Sequence, residues 1–111
     1  MSETNSTTKG EIQSLDDLAQ LIFQWALDRN LLNKENVKSQ MLKVVEEIGE
    51  TARAINKGDM LETVDGIGDS LVTLFILSFQ LGLSPQFCLS SAYTEIANRK
   101  GKTINGTFIK E

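Results

Sequence analysis

Five carboxylates fall into two groups of helical spacing: Glu46-Glu47-x-x-Glu50 and, about one helix and turn further on, Asp65-x-x-x-Asp69. At about 100° per residue, Glu46, Glu47 and Glu50 share one arc of a helix, and Asp65 and Asp69 stand one above the other. Like charges this close repel unless a cation lies between them. A hard divalent ion such as Mg²⁺ takes all-oxygen sites of this kind, and Mn²⁺ accepts similar ligands. The chain has no histidine and a single cysteine, Cys88, so carboxylates are the metal ligands it offers. Magnesium chemistry on phosphates is the reaction type that suits such a set.

Each of these features also has a structural reading. A charged arc opposite an apolar stripe is most often simply solvated, which suffices for Glu46, Glu47 and Glu50. Asp65 and Asp69 are harder to explain that way. They share a face with Val72 and Ile76 and are expected to be covered, and a helix dipole returns only about 0.3–1 kcal/mol per carboxylate. Glu62, three residues after Asp59, fits a capping box. Gly66 and Gly68 are unusual inside a helix, at roughly 1 kcal/mol each relative to alanine. With Gly49 they imply either close helix packing or the approach of a ligand. Arg99, Lys100 and Lys102 suit either a helix C-terminus or a triphosphate. Trp25 is either a core residue or a platform for a base.

The elements that must position these residues are helical. Leu18, Leu21, Ile22, Trp25 and Ala26 make one stripe on a first helix that starts at Ser14 and ends at Asn30. A second helix runs from about Asn33 to Lys57, with Gly58 as its stop. Its apolar arc is Met41, Val44, Val45, Ile48, Ala52 and Ile55. Asp59 opens a third helix, apolar nearly all round from Leu71 to Leu81, which Gly82 closes. Ser84-Pro85 opens a fourth, carrying Phe87, Leu89, Ala92, Tyr93 and Ile96 and stopped by Gly101. Asn105-Gly106 between alternating residues signals a short hairpin. The fold class is all-α: a four-helix bundle with an extended or hairpin tail. Residues 1–12 read as a disordered tail, 13–102 as the helical domain and 103–111 as the C-terminal tail.

A net charge of −4 argues against nucleic acid as the main partner, since phosphate backbones call for a basic footprint. No run approaches the length of a membrane span. The lone cysteine and the polar first eleven residues, which lack the apolar stretch of an export signal, fit a cytoplasmic protein. The all-round apolar third helix exceeds what a small monomer can cover, so an oligomer is expected.

Glu46-Glu47-x-x-Glu50 followed by an acidic pair ending in Gly68-Asp69 resembles the MazG-like all-α nucleoside triphosphate pyrophosphohydrolases. The similarity extends from about Leu18 to Lys102 and includes Phe23-Gln-Trp-Ala26, Lys43 to Glu50 and Asn98-Arg-Lys-Gly-Lys102. The resemblance implies hydrolysis of a (deoxy)nucleoside triphosphate to monophosphate and pyrophosphate, for cleansing or control of the nucleotide pool. It implies Mg²⁺ held by Glu47, Glu50 and Asp69. The family pattern places a glutamate at position 66, where this chain has Gly66, and Asp65 is the substitute ligand. Glu46 or Glu47 would orient or deprotonate the attacking water. Lys43, Arg99 and Lys102 would contact phosphates, and Trp25 would face the base. A homodimer or homotetramer is the implied assembly. The alternatives are a non-catalytic helical interaction module with an acidic face, and a degenerate member that binds nucleotides without cleaving them.

Overall fold

The computed structural model describes residues 12–111. Four α-helices precede a small hairpin: α1 (Leu15–Asp28), α2 (Val37–Lys57), α3 (Met60–Gln80), α4 (Pro85–Ala97), β1 (Gly101–Ile104) and β2 (Thr107–Lys110). The expected polar tail, apart from its last residue, lies outside the described residues.

The helix starts follow local chemistry. Ser14 Oγ accepts the Asp17 N–H at 3.1 Å, Asp59 Oδ1 the Glu62 N–H at 3.0 Å, and Ser84 Oγ the Phe87 N–H at 3.0 Å. Each satisfies a main-chain donor that has no partner within the first turn. A single 3₁₀ turn, Lys34–Asn36, leads into α2, which therefore begins slightly later than its sequence suggests. α4 ends at Ala97, and Gly101 opens β1 instead of closing the helix. In the hairpin, Asn105 and Gly106 both have positive φ, 51° and 79°. The type I′ two-residue turn, which matches strand twist, requires that combination. The pairing runs antiparallel from Gly101–Lys110 to Ile104–Thr107.

α2 and α3 form the principal pair, and α1 and α4 lie against α3. The seam between α2 and α3 departs from the hydrophobic pattern. Of the apolar arc on α2, only Val44 is buried, while Met41, Val45, Ile48 and Ile55 are 44–57% exposed. The residues of α2 that turn inward are Val44, Glu47 and Ala54, with Thr51 half-buried between them. Facing them on α3 are Gly66, Ser70 and Thr73. Small side chains let the two backbones approach, and the hydroxyls bond back to their own helices: Thr51 to Glu47 O at 2.8 Å, Ser70 to Gly66 O at 2.8 Å and Thr73 to Asp69 O at 3.0 Å. Gln40 Nε2 crosses the seam to Thr73 O at 3.1 Å. Gln80 Nε2 ties α3 to Leu31 O at 2.9 Å, leaving its buried Oε1 without a partner among the described residues.

On α1 the buried residues are Ala19 and Ala26, and an edge-to-face contact between Phe23 and Phe79 at 5.1 Å joins it to α3. Leu21 and Trp25, expected in the core stripe, stay about half exposed. The core hydrophobics below the surface are three alanines, one valine and one isoleucine: Ala19, Ala26, Ala54, Val44 and Ile76. α4 buries none of its residues. It leaves α3 at 103°, and the two helices and α1 enclose an apolar groove of about 920 Å³. Leu71, Leu74, Leu89 and Tyr93 line it. Among the described residues no single helix is long and apolar enough to cross a membrane.

Candidate active site

The α2–α3 pairing that buries Glu47 also opens a cleft of about 320 Å³ beside it. Glu47 and Glu50 line it from α2, and Glu62, Asp65 and Asp69 from α3, with Gly66 among them. Apart from Glu46, the two acidic groups, well apart in sequence, thus face one space. Among the described residues, the larger apolar groove has no comparable set of charges.

Two expectations about these carboxylates are corrected. Glu47 was expected on the solvated arc and is 9% exposed, because α2 meets α3 through Val44, Glu47, Thr51 and Ala54 rather than through its apolar stripe. Asp65 and Asp69 were expected to be covered and are exposed. Their face looks along the cleft, while the neighbouring Gly66 takes the seam.

Gly66 explains the departure at that position. A Cβ placed there meets Thr51 Oγ1 and lies 3.0 Å from Thr51 Cβ and 3.1 Å from Thr51 Cα. A larger residue would have to push the helices apart. Gly49 and Gly68 have nothing within 4 Å of a Cβ, so of the three helical glycines only Gly66 is required by packing. Asp65, one residue earlier, reaches the cleft without entering the seam.

The ion pairs sort the carboxylates further. Glu62 is matched by Lys57 at 3.1 Å, Glu46 by Lys43 at 3.2 Å, and Glu47 more loosely by Lys43 at 3.6 Å. The hydrogen bond to Glu46, with the charges of Glu46 and Glu47, raises the Lys43 pKa above its ordinary value of 10.5. Glu50, Asp65 and Asp69 have neither an ion pair nor a side-chain hydrogen bond among the described residues. These three are the carboxylates left for a ligand. No three carboxylates among the described residues close around a single point as a metal cage. The donor set is an open, oxygen-only wall, which suits an ion that keeps several of its waters, as Mg²⁺ does.

The remaining expected contacts are elsewhere. Glu46 points to solvent and does not line the cleft; nor do Lys43, Trp25, Arg99 or Lys102. Arg29 stacks on the Trp25 ring at 4.2 Å, and Arg99 pairs with Glu95 at 3.3 Å. Two cations do line the cleft, Arg53 and Lys57. Arg53 was not singled out from the sequence, although it lies three residues after Glu50, one turn along the same side of α2.

The profile of the MazG nucleotide pyrophosphohydrolase domain matches residues 35–103, which span α2, α3, α4 and the start of the hairpin. An uncharacterized 18.2 kDa protein from the rep-hol intergenic region of Haemophilus phage HP1 (strain HP1c1) is 40% identical over 68 residues. That match covers 60% of this chain and 40% of the phage protein. No solved structure matches the chain. The family match covers both acidic groups and the two helices that bring them to one cleft, over well more than half of the sequence. By that match the chain belongs to the MazG nucleotide pyrophosphohydrolase domain family.

Proposed function

We propose that the chain hydrolyses a (deoxy)nucleoside triphosphate to the monophosphate and pyrophosphate, with Mg²⁺ as cofactor, in the cleft between α2 and α3. The observation that carries this reading is the trio Glu50, Asp65 and Asp69, unpaired and lining one cleft. With buried Glu47 they are the residues that would hold the metal. A bound Mg²⁺ supplies charge neutralisation on the phosphate oxygens and a more acidic water.

The chain's own residues do the rest. Glu47, packed into the seam and 12% exposed at its side chain, is held more rigidly than Glu46 and is the better placed to accept a proton from the attacking water. Gly66 sets the separation of the two carboxylate-bearing helices. Lys57, paired with Glu62, partly offsets the negative charge at the end nearest the helix turn.

We also infer a homo-oligomer. Three alanines, a valine and an isoleucine are too small a core for a hundred described residues, and the apolar arc of α2 and the α1–α3–α4 groove are both uncovered. Incubation with a panel of nucleoside triphosphates and Mg²⁺ tests the reaction. Pyrophosphate and monophosphate are the expected products. Orthophosphate with a diphosphate refutes the assignment of the bond, and binding without turnover leaves the chain a nucleotide-binding member of its family.

A further inference from the structure

The charges of the cleft divide unevenly. Of its two cations, Lys57 is engaged by Glu62 at 3.1 Å. Arg53 has no ion pair and no side-chain hydrogen bond among the described residues, although five carboxylates line the same cleft. Carboxylates and a guanidinium thus stand open together, neither satisfying the other. A ligand that answers both must bring an anion for Arg53 and cations for Glu50, Asp65 and Asp69. A metal-bound polyphosphate does so in one body.

Apart from Gly66, every residue lining the cleft is charged. Among the described residues, no aromatic or aliphatic side chain is there to receive a base. Such a lining matches a phosphate chain rather than a nucleoside. Arg53 lies on α2 beyond Glu50, towards the turn at Gly58, at the cationic end of the cleft. Its planar fork of donors suits two phosphate oxygens at once, which an ammonium cannot match.

We propose that Arg53 is a substrate-binding residue that holds the β- and γ-phosphates, and hence the leaving pyrophosphate, in the α2–α3 cleft. This rests on the cleft being the triphosphate site. Arg53 is exposed and has no side-chain hydrogen bond or ion pair among the described residues, so its replacement is expected to leave the fold intact, as circular dichroism and melting can verify.

The test is calorimetric titration of the full chain with inorganic pyrophosphate and Mg²⁺, alongside turnover of a triphosphate. Arg53→Ala is expected to weaken pyrophosphate binding by at least about tenfold and to lower kcat/KM by a similar factor or more. Arg53→Lys is expected to fall between it and the native chain, since it keeps the charge and loses the fork. Lys38→Ala removes the same charge from α2 about 22 Å away along the helix axis and is expected to change neither reading. Native-like pyrophosphate binding by Arg53→Ala overturns the proposal, as does failure of the native chain to bind pyrophosphate with Mg²⁺, or an equal loss in Lys38→Ala. If the native chain binds pyrophosphate through Arg53 but cleaves no triphosphate, the hydrolytic reading falls and the role of Arg53 stands.

Discussion

Replacing Gly66 by alanine sets two effects of opposite sign against each other. In a helix interior the change gains about 0.8–1 kcal/mol of propensity. At this position, however, the new Cβ meets Thr51 Oγ1 and lies 3.0 Å from Thr51 Cβ and 3.1 Å from Thr51 Cα. Carbon atoms prefer separations of about 3.5–4.0 Å, so the helices must part by roughly 0.4–0.9 Å. The hydroxyl can rotate away, but the α-carbon moves only with its helix. Overpacking of this kind costs about 1–3 kcal/mol, leaving a net loss of about 0–2 kcal/mol. Gly68→Ala, with nothing within 4 Å of its Cβ, keeps the full gain. The two variants should therefore differ by about 1–3 kcal/mol, or several degrees and upward in Tm for a domain of this size. The measurement is chemical denaturation of both at one fixed protein concentration. Thr51→Ala in the Gly66→Ala background should recover part of the loss by removing the nearest atom. Turnover should fall as well, on the order of tenfold, because the same displacement separates Glu47 and Glu50 from Asp65 and Asp69. If Gly66→Ala is as stable and as active as Gly68→Ala, the contact with Thr51 does not set the width of the cleft.

The other predictions concern the ligands, the assembly and one ion pair. Asp65→Asn and Asp69→Asn should each weaken Mg²⁺ binding and lower turnover, on the order of 100-fold, with the fold retained. A near-normal Asp65→Asn together with an inactive Glu62→Gln would transfer the ligand role to the residue now paired with Lys57. Sedimentation at micromolar concentration should give a mass at least twice the 12.3 kDa of the chain, and a monomeric mass rules out the inferred assembly. Because the pKa of Lys43 is raised by folding, any stability it confers is complete below 10.5 and lost as the pH climbs through the higher folded value. The stability difference between the native chain and Lys43→Met should accordingly stay level from pH 7 to about 10; a decline within that interval contradicts the pairing.

Much of the fold was legible because its signals are local. Ser14, Asp59 and Ser84 cap the helices they were expected to cap, and Asn105-Gly106 makes the turn of the hairpin. Both acidic groups were visible as spacings. The facing of α2 was not. Hydrophobic periodicity identifies an apolar face but not the neighbour that covers it, and in this protomer Met41, Val45, Ile48 and Ile55 are left open while Thr51 and Glu47 turn inward. The burial of Glu47 and the exposure of Asp65 and Asp69 both follow from that single choice of seam. Arg53 was passed over because one arginine on a charged arc carries no pattern, and its significance appears only when α3 supplies the opposite wall. Gly66 looked like a missing ligand in the sequence and is, in three dimensions, the contact with Thr51.

The small, hydroxyl-lined seam also affects how stability depends on temperature. Exposure of apolar surface on unfolding is what raises the heat capacity and bends the stability curve. Within the protomer the fully buried part of that surface is small, since alanines, serines and threonines fill much of the α2–α3 contact. The apolar area still exposed on the outer arc of α2 and along the groove beside α4 would change its hydration further if subunits met there. In an assembly, part of the heat-capacity change would therefore reside in association, and hydrophobic association weakens on cooling. Subunits would separate towards the cold while their helices, held by main-chain bonds and caps, stay folded.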